Sequence, residues 1–216
     1  MSQTTRSPVI YALLGGGIAL SLSAAAFALW VLLAPPAERQ AGSSATMQIM
    51  EPLDGSFRLT DEQGRTVTDK DFGGQYRIMT FGFTHCPDIC PTQLQVIENA
   101  LNQLPSDQQR RVASLFVSVD PERDTPARLK EFLARFHPRQ KGLTGTPQEI
   151  ADVARAFRVH YHKPQPGEPG HGSGDMQHTS IIYLFAPDGR LLALFPPHVR
   201  AEEMAKGIVT AMQAQG

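Results

Sequence analysis

The chain is predicted to be an α/β protein, with a mixed β-sheet crossed by helices, a β-hairpin at the front of the sheet and one membrane-spanning helix ahead of it. Three observations carry this expectation. No charged residue occurs from Ser7 to Ala37. Beyond that stretch, short apolar runs alternate with helical patterns, the signature of strands joined by crossover helices. Two turn sequences, Asp61-Glu62-Gln63-Gly64 and Pro187-Asp188-Gly189, each separate a pair of short strand-like runs, as in hairpins.

The apolar part of the uncharged stretch covers residues 9–34. At about 1.5 Å per residue it makes roughly 39 Å of helix, enough to cross a hydrocarbon core of about 30 Å with some tilt. A cleavable signal peptide has a shorter apolar core, roughly 7–15 residues. Arg6 and the amino terminus precede the span, and Glu38 and Arg39 follow it, so the positive-inside rule favours a cytoplasmic N-terminus and an exported body. The arrangement leaves no room for an Arg-rich transit peptide and suits a bacterial inner-membrane protein with its C-terminal domain in the periplasm. Residues 1–8 are then a tail, 9–34 an anchor, 35–50 an Ala/Gly/Ser/Pro-rich tether and 51–216 one domain.

Within that domain, Phe57–Thr60 and Arg65–Thr68 are expected as a hairpin, Tyr76–Phe83 as a buried strand and Val112–Val119 as the next. Pro91 opens a helical pattern through Leu94, Ile97, Leu101 and Leu104, with proline suited to the first helical position. Thr125 caps a helix that begins at Pro126 and presents Leu129, Phe132, Leu133 and Phe136. Pro147–Phe157 and Ala201–Met212 are further helices, and Ile181–Phe185 and Leu191–Phe195 form the closing hairpin. The order ββ–β–α–β–α–α–β–β–α fits a thioredoxin-like sandwich.

Composition excludes several functions. Twenty Lys plus Arg against 21 Asp plus Glu gives no basic excess, so no nucleic-acid partner is expected. With two cysteines there is no multi-disulfide scaffold and no four-cysteine metal site. Those two, Cys86 and Cys90, fall where a strand ends and a helix begins, the rim where α/β sheets place their sites and where a helix N-terminus favours thiolate. A four-residue spacing within a helix would bring both sulfurs to one face.

Three chemistries are open to the pair. A structural disulfide is common in exported proteins, though so small a loop stabilises little. A dithiol oxidoreductase usually has two intervening residues, not three. A metal site needs a further ligand. Of the seven histidines, His85 adjoins Cys86, His137 ends a helix and His198 lies in a late loop. His160, His162, His171 and His178 lie on or beside the Pro/Gly-rich segment 158–177, a loop long enough to suggest function. His178 immediately precedes the expected strand 179–185, and a loop entering that strand could bring it against the cysteines. Two thiolates and one imidazole suit copper, whereas structural zinc takes four ligands. Met176 offers a thioether but also reads as an exposed loop residue.

These residues resemble the Sco/SenC family of membrane-tethered, thioredoxin-like copper proteins. The likeness rests on Gly82-Phe83-Thr84-His85-Cys86-Pro87-Asp88-Ile89-Cys90-Pro91, on Ser118-Val119-Asp120-Pro121-Glu122-Arg123-Asp124-Thr125-Pro126, and on His178-Thr179 leading to Tyr183-Leu184 and Pro187-Asp188-Gly189. The resemblance implies that Cys86, Cys90 and His178 bind copper. It also implies a role in assembling the dinuclear copper centre of cytochrome c oxidase, as a metallochaperone or as a reductase of the target's cysteines through the Cys86–Cys90 pair. The expected partners are the oxidase's copper-binding subunit, a periplasmic copper donor and a thiol reductant. Where ordinary thioredoxins carry a cis-proline, this chain has Gln177-His178-Thr179. Where the family often has an aspartate before the histidine, it has Gln177, with Asp175 two residues earlier. Asp120 and Asp124 are expected on the same rim, either tuning the site or contacting a partner, or with Asp124 and Thr125 only capping the next helix.

Overall fold

The computed structural model describes residue 53 and residues 55–136, 139–162 and 177–215. The expected tail, anchor (9–34) and tether (35–50) lie outside these residues. Among the described residues no helix is long and apolar enough to cross a membrane.

The hairpin forms from β1 (Arg58–Asp61) and β2 (Thr66–Thr68). Its turn is held by the Asp61 carboxylate, which accepts the N–H groups of Gln63 and Arg65 at 2.9 and 2.8 Å, and Gly64 adopts φ 80° there, a conformation open to glycine. Then follow β3 (Tyr76–Gly82), buried along its whole length, and helix α1 (Ile89–Asn102). A single turn α2 (Ser106–Gln109) leads to β4 (Val112–Ser118) and helix α3 (Pro126–Leu133). Next are β5 (Gln140–Thr144) and helix α4 (Pro147–Ala156), whose Thr146 and Glu149 form a reciprocal capping box. A two-stranded ribbon of β6 (Tyr161–His162) and β7 (Gln177–His178) stands apart from the main sheet. The chain closes with β8 (Ile182–Phe185), β9 (Leu191–Phe195) and helix α5 (Ala201–Gln213).

The main sheet has seven strands in the order β2-β1-β5-β4-β3-β8-β9, with β3, β4 and β5 parallel and the other pairings antiparallel. The period-two alternation of strands sorts its side chains onto two faces. Met79 and Phe81 share one face with Tyr183 and Phe185, and Phe157 at the end of α4 completes an aromatic cluster with Phe81, Tyr183 and Phe185 at ring separations of 5.4–6.2 Å. The opposite face carries Ile78, Thr80 and Phe116. Helix α3 packs there through Phe132 on Phe116, and α1 through Gln93, whose Oε1 accepts the Thr80 hydroxyl. Helix α5 joins the same side, burying Met204, Ala205, Ile208 and Met212 with Ile97 and Leu101 of α1.

The elements depart from expectation in several places. Strand β5 was not foreseen: its sequence, Gln-Lys-Gly-Leu-Thr, lacks an apolar alternation because Gly142 occupies the inward position, where a Cβ would lie 2.9 Å from Leu133 Cδ1 and 3.0 Å from Leu129 Cβ. The strand trades a side chain for close approach of α3, and it joins the front hairpin to the sheet. Helix α1 begins at Ile89, two residues before Pro91, which falls within its first turn where a missing N–H costs nothing. Residues 179–181 are not strand, since β8 begins only at Ile182.

Candidate metal centre

The earlier start of α1 changes how the two cysteines meet. Cys90 lies in the first helical turn, while Cys86 lies in the preceding loop, so the pair is not an i, i+4 couple on one helix. The loop folds back through a Cys86 N–H to Phe83 carbonyl bond of 3.2 Å, and the Cys90 N–H donates to Cys86 Sγ at 3.3 Å. Gly82 at the end of β3 makes room for the second sulfur: a Cβ there would lie 2.7 Å from Cys90 Sγ and 2.8 Å from Phe116 Cε2. Both thiols are free, and both are buried, Cys86 8 % and Cys90 1 % exposed.

His178 reaches the pair from the ribbon, where it sits opposite Tyr161. Its Nε2 is 3.5 Å from Cys90 Sγ, and its ring stands edge-on to Phe83 with centroids 5.7 Å apart. Nδ1 lies 3.2 Å from the Thr179 carbonyl. A carbonyl can only accept, so in the neutral ring Nδ1 carries the proton and Nε2 presents its lone pair to the sulfurs. The ligand atoms of Cys86, Cys90 and His178 all lie within 4.8 Å of one another. Two soft sulfurs and an imidazole nitrogen so placed fit a thiophilic ion of low coordination number, which describes Cu(I).

The two thiols are electrostatically unequal. A hydrogen bond from the Cys90 thiol, helped by the His178 ring when Nε2 also carries a proton and by the backbone N–H groups of Cys90 and Asp88, holds the Cys86 pKa well below the ordinary thiol range, against an opposing effect of burial. The same sulfur–sulfur hydrogen bond together with near-complete burial pushes Cys90 up. Cys86 is therefore the thiolate at neutral pH, and thiolate is the nucleophile. In the metal-free protein at pH 7, iodoacetamide is expected to modify Cys86 about tenfold or more faster than Cys90, as read by peptide mass spectrometry; equal rates would contradict this inequality.

The remaining expected residues take other places. Asp124 is fully buried, and its carboxyl oxygens accept the Thr84 N–H at 2.9 Å, the Thr84 hydroxyl at 2.6 Å and the Ser118 hydroxyl at 2.6 Å. It braces the cysteine loop and does not cap α3; that cap is Thr125, whose hydroxyl accepts the Arg128 N–H at 3.2 Å. Asp120, 2 % exposed, pairs with Arg123 and accepts the Arg123 and Asp124 N–H groups on its carbonyl. Both carboxyls face inward, so neither is offered to a partner. His85 is half exposed, 3.7 Å from Asp124 through Nδ1, and does not join the converging trio. His160 and His198 are exposed, and His160 serves through its backbone, which exchanges hydrogen bonds with Thr179. His162 is exposed on β6. His137, His171, Asp175 and Met176 lie outside the described residues. The roles of Gly82 and the Thr179 carbonyl were not read from the sequence, although a glycine closing an apolar strand just before the cysteines is the signal for the first.

Fold and donor set together define a thioredoxin-like domain with two thiols and an imidazole, a group that could hold a metal ion, on the carboxyl rim of its parallel strands. The SCO1/SenC family model matches residues 45–213, and the chain belongs to that family. It is 40 % identical over 166 residues to the human "Protein SCO1 homolog, mitochondrial", covering 74 % of this chain and 53 % of that protein. It resembles the solved structure of Bradyrhizobium japonicum ScoI with copper bound at 41 % identity and a TM-score of 0.65, covering 74 % of this chain and 99 % of that one. Arabidopsis thaliana ScoI with copper bound matches at 34 % identity and a TM-score of 0.69, covering 75 % and 99 %. The chain spans about half the length of the named relatives it matches.

Proposed function

We propose that this protein is a copper metallochaperone that holds one copper ion through Cys86, Cys90 and His178 and delivers it to the copper-binding subunit of cytochrome c oxidase during assembly of the dinuclear centre. The observation that carries this reading is the convergence of two sulfurs and one lone-pair-bearing Nε2 within 4.8 Å. Copper is the cargo, and transfer is ligand exchange. Thiolates of the recipient displace the chain's ligands one at a time, so the ion never passes through bulk water. Segment 9–34 anchors the protein in a bacterial inner membrane, 35–50 tethers it, and the domain works in the periplasm, loaded by a copper donor there and kept reduced by a thiol reductant.

A second reading, thiol–disulfide reductase, is favoured by the depressed Cys86 thiol. The Cys86 thiolate attacks a disulfide of the recipient, one recipient thiol leaves, and the Cys90 thiol resolves the mixed disulfide; the recipient gains two electrons and the pair ends oxidised. The same dithiol serves both readings. In an anaerobic Cu(I) titration of the reduced full-length protein, one tightly bound equivalent is expected, and neither Cys86→Ser nor Cys90→Ser should bind it. A single-cysteine variant that still binds copper stoichiometrically would overturn the proposed ligand set.

A further inference from the structure

Gln93 is polar and 1 % exposed, an uncommon state for glutamine. It stands three residues after Cys90 on α1, on the same side of the helix. Its side-chain amide makes two hydrogen bonds. Oε1 accepts the Thr80 hydroxyl of β3 at 3.3 Å, and Nε2 donates to the Ser180 carbonyl at 2.6 Å. Ser180 is two residues beyond His178, and its hydroxyl donates to the His178 carbonyl at 3.4 Å. Apart from the contact between Cys90 Sγ and His178 Nε2, the Gln93–Ser180 bond is the one hydrogen bond among the described residues that joins α1 to the segment carrying His178.

The rest of what holds that segment comes from elsewhere. The ribbon pairs His178 with Tyr161 and Gln177 with His162, and Thr179 clasps the His160 backbone. Those bonds tie the imidazole to the chain leaving α4, not to the helix that carries Cys90. A ligand set assembled from two independently held elements needs a strut between them, because a misplacement of about 1 Å at a site is costly. Glutamine is suited to that strut. It offers an acceptor to Thr80 and a donor to Ser180 at once, asparagine is one methylene shorter, and a carboxylate would face the Ser180 carbonyl with no donor.

We propose that Gln93 is a positioning residue for copper, setting where His178 stands relative to Cys86 and Cys90. The proposal rests on the reading of those three residues as the ligands. The test uses the full-length chain with Gln93→Met, which keeps the volume in the core and removes the donor, beside Thr80→Val and His178→Ala. In Gln93→Met the Cu(I) affinity is expected to fall about 10–100-fold, the cost usual for losing a group that orients a ligand. The imidazole-nitrogen couplings in pulsed EPR of the Cu(II)-loaded protein should weaken. Without copper, amide hydrogen exchange at Thr179, Ser180 and Ile181 should speed up about tenfold, while the dithiol's equilibrium with glutathione moves less than about twofold.

A purely structural role would lower thermal stability and leave affinity, couplings and local exchange as they are; that result overturns the proposal. Should Gln93→Met fail to fold, Thr80→Val decides, since it loosens the same amide: unchanged exchange at 179–181 and unchanged affinity would overturn the proposal. If His178→Ala binds copper like the unaltered protein, the ligand reading itself falls. If His178→Ala loses copper and Gln93→Met does not, only the role of Gln93 falls.

Discussion

Replacing His178 with alanine is expected to lower Cu(I) affinity by about a thousandfold, or about 4 kcal/mol, while leaving thiol–disulfide exchange by Cys86 and Cys90 largely intact. The imidazole supplies the one nitrogen of the donor set, and removing it leaves two thiolates to hold the ion. The redox pair loses little, because the Cys90 thiol is the largest influence on Cys86 and His178 a smaller one. The measurement is a competitive anaerobic titration of the two proteins, paired with their rates of reduction of a small disulfide. Unchanged copper affinity would remove His178 from the ligand set. A matching loss in both assays would mean that the substitution had disturbed the cysteine loop.

Replacing Asp124 with alanine is expected to destabilise the domain by about 3 kcal/mol, the sum of what three buried donors lose when their shared acceptor disappears. The Thr84 N–H and hydroxyl and the Ser118 hydroxyl would all lose their partner. For a domain of this size that corresponds to a fall in Tm of roughly 6–12 °C. Since Thr84 is two residues before Cys86, copper affinity should fall as well, even though Asp124 touches no ligand. Calorimetry beside the copper titration checks both; a Tm within about 2 °C of the unaltered protein would show that Asp124 does not brace the loop.

Long elements with a clear period were legible in the sequence. The pattern Leu94, Ile97, Leu101, Leu104 marks α1, and Pro126 and Pro147 after Thr125 and Thr146 mark the starts of α3 and α4. Where a residue's role is to be absent, the pattern fails: Gly142 hides β5 because α3 fills the space of its side chain. The ribbon of β6 and β7 was hidden for another reason. Two residues per strand carry no alternation, and its partners lie 15 to 17 positions apart in a Pro/Gly-rich stretch of sequence. The cysteine pair was visible from its place at a strand–helix junction. His178 was singled out by position but gained its role through likeness to a family. Gln93 gave no signal of its own, since a buried polar side chain looks in sequence like any exposed one, and Asp124 was placed on the rim without its part in bracing the cysteine loop being read.

The ribbon has one more consequence. The seven-stranded sheet forms its full ladder without β6 or β7, and the ribbon adds to the hydrophobic clusters only the partly buried Tyr161. In a zinc finger the ion is what makes folding favourable, and removing it unfolds the chain. The proposed copper site lies on an architecture whose main sheet needs neither strand of the ribbon, so the metal-free domain is expected to fold by itself and to take up the ion afterwards.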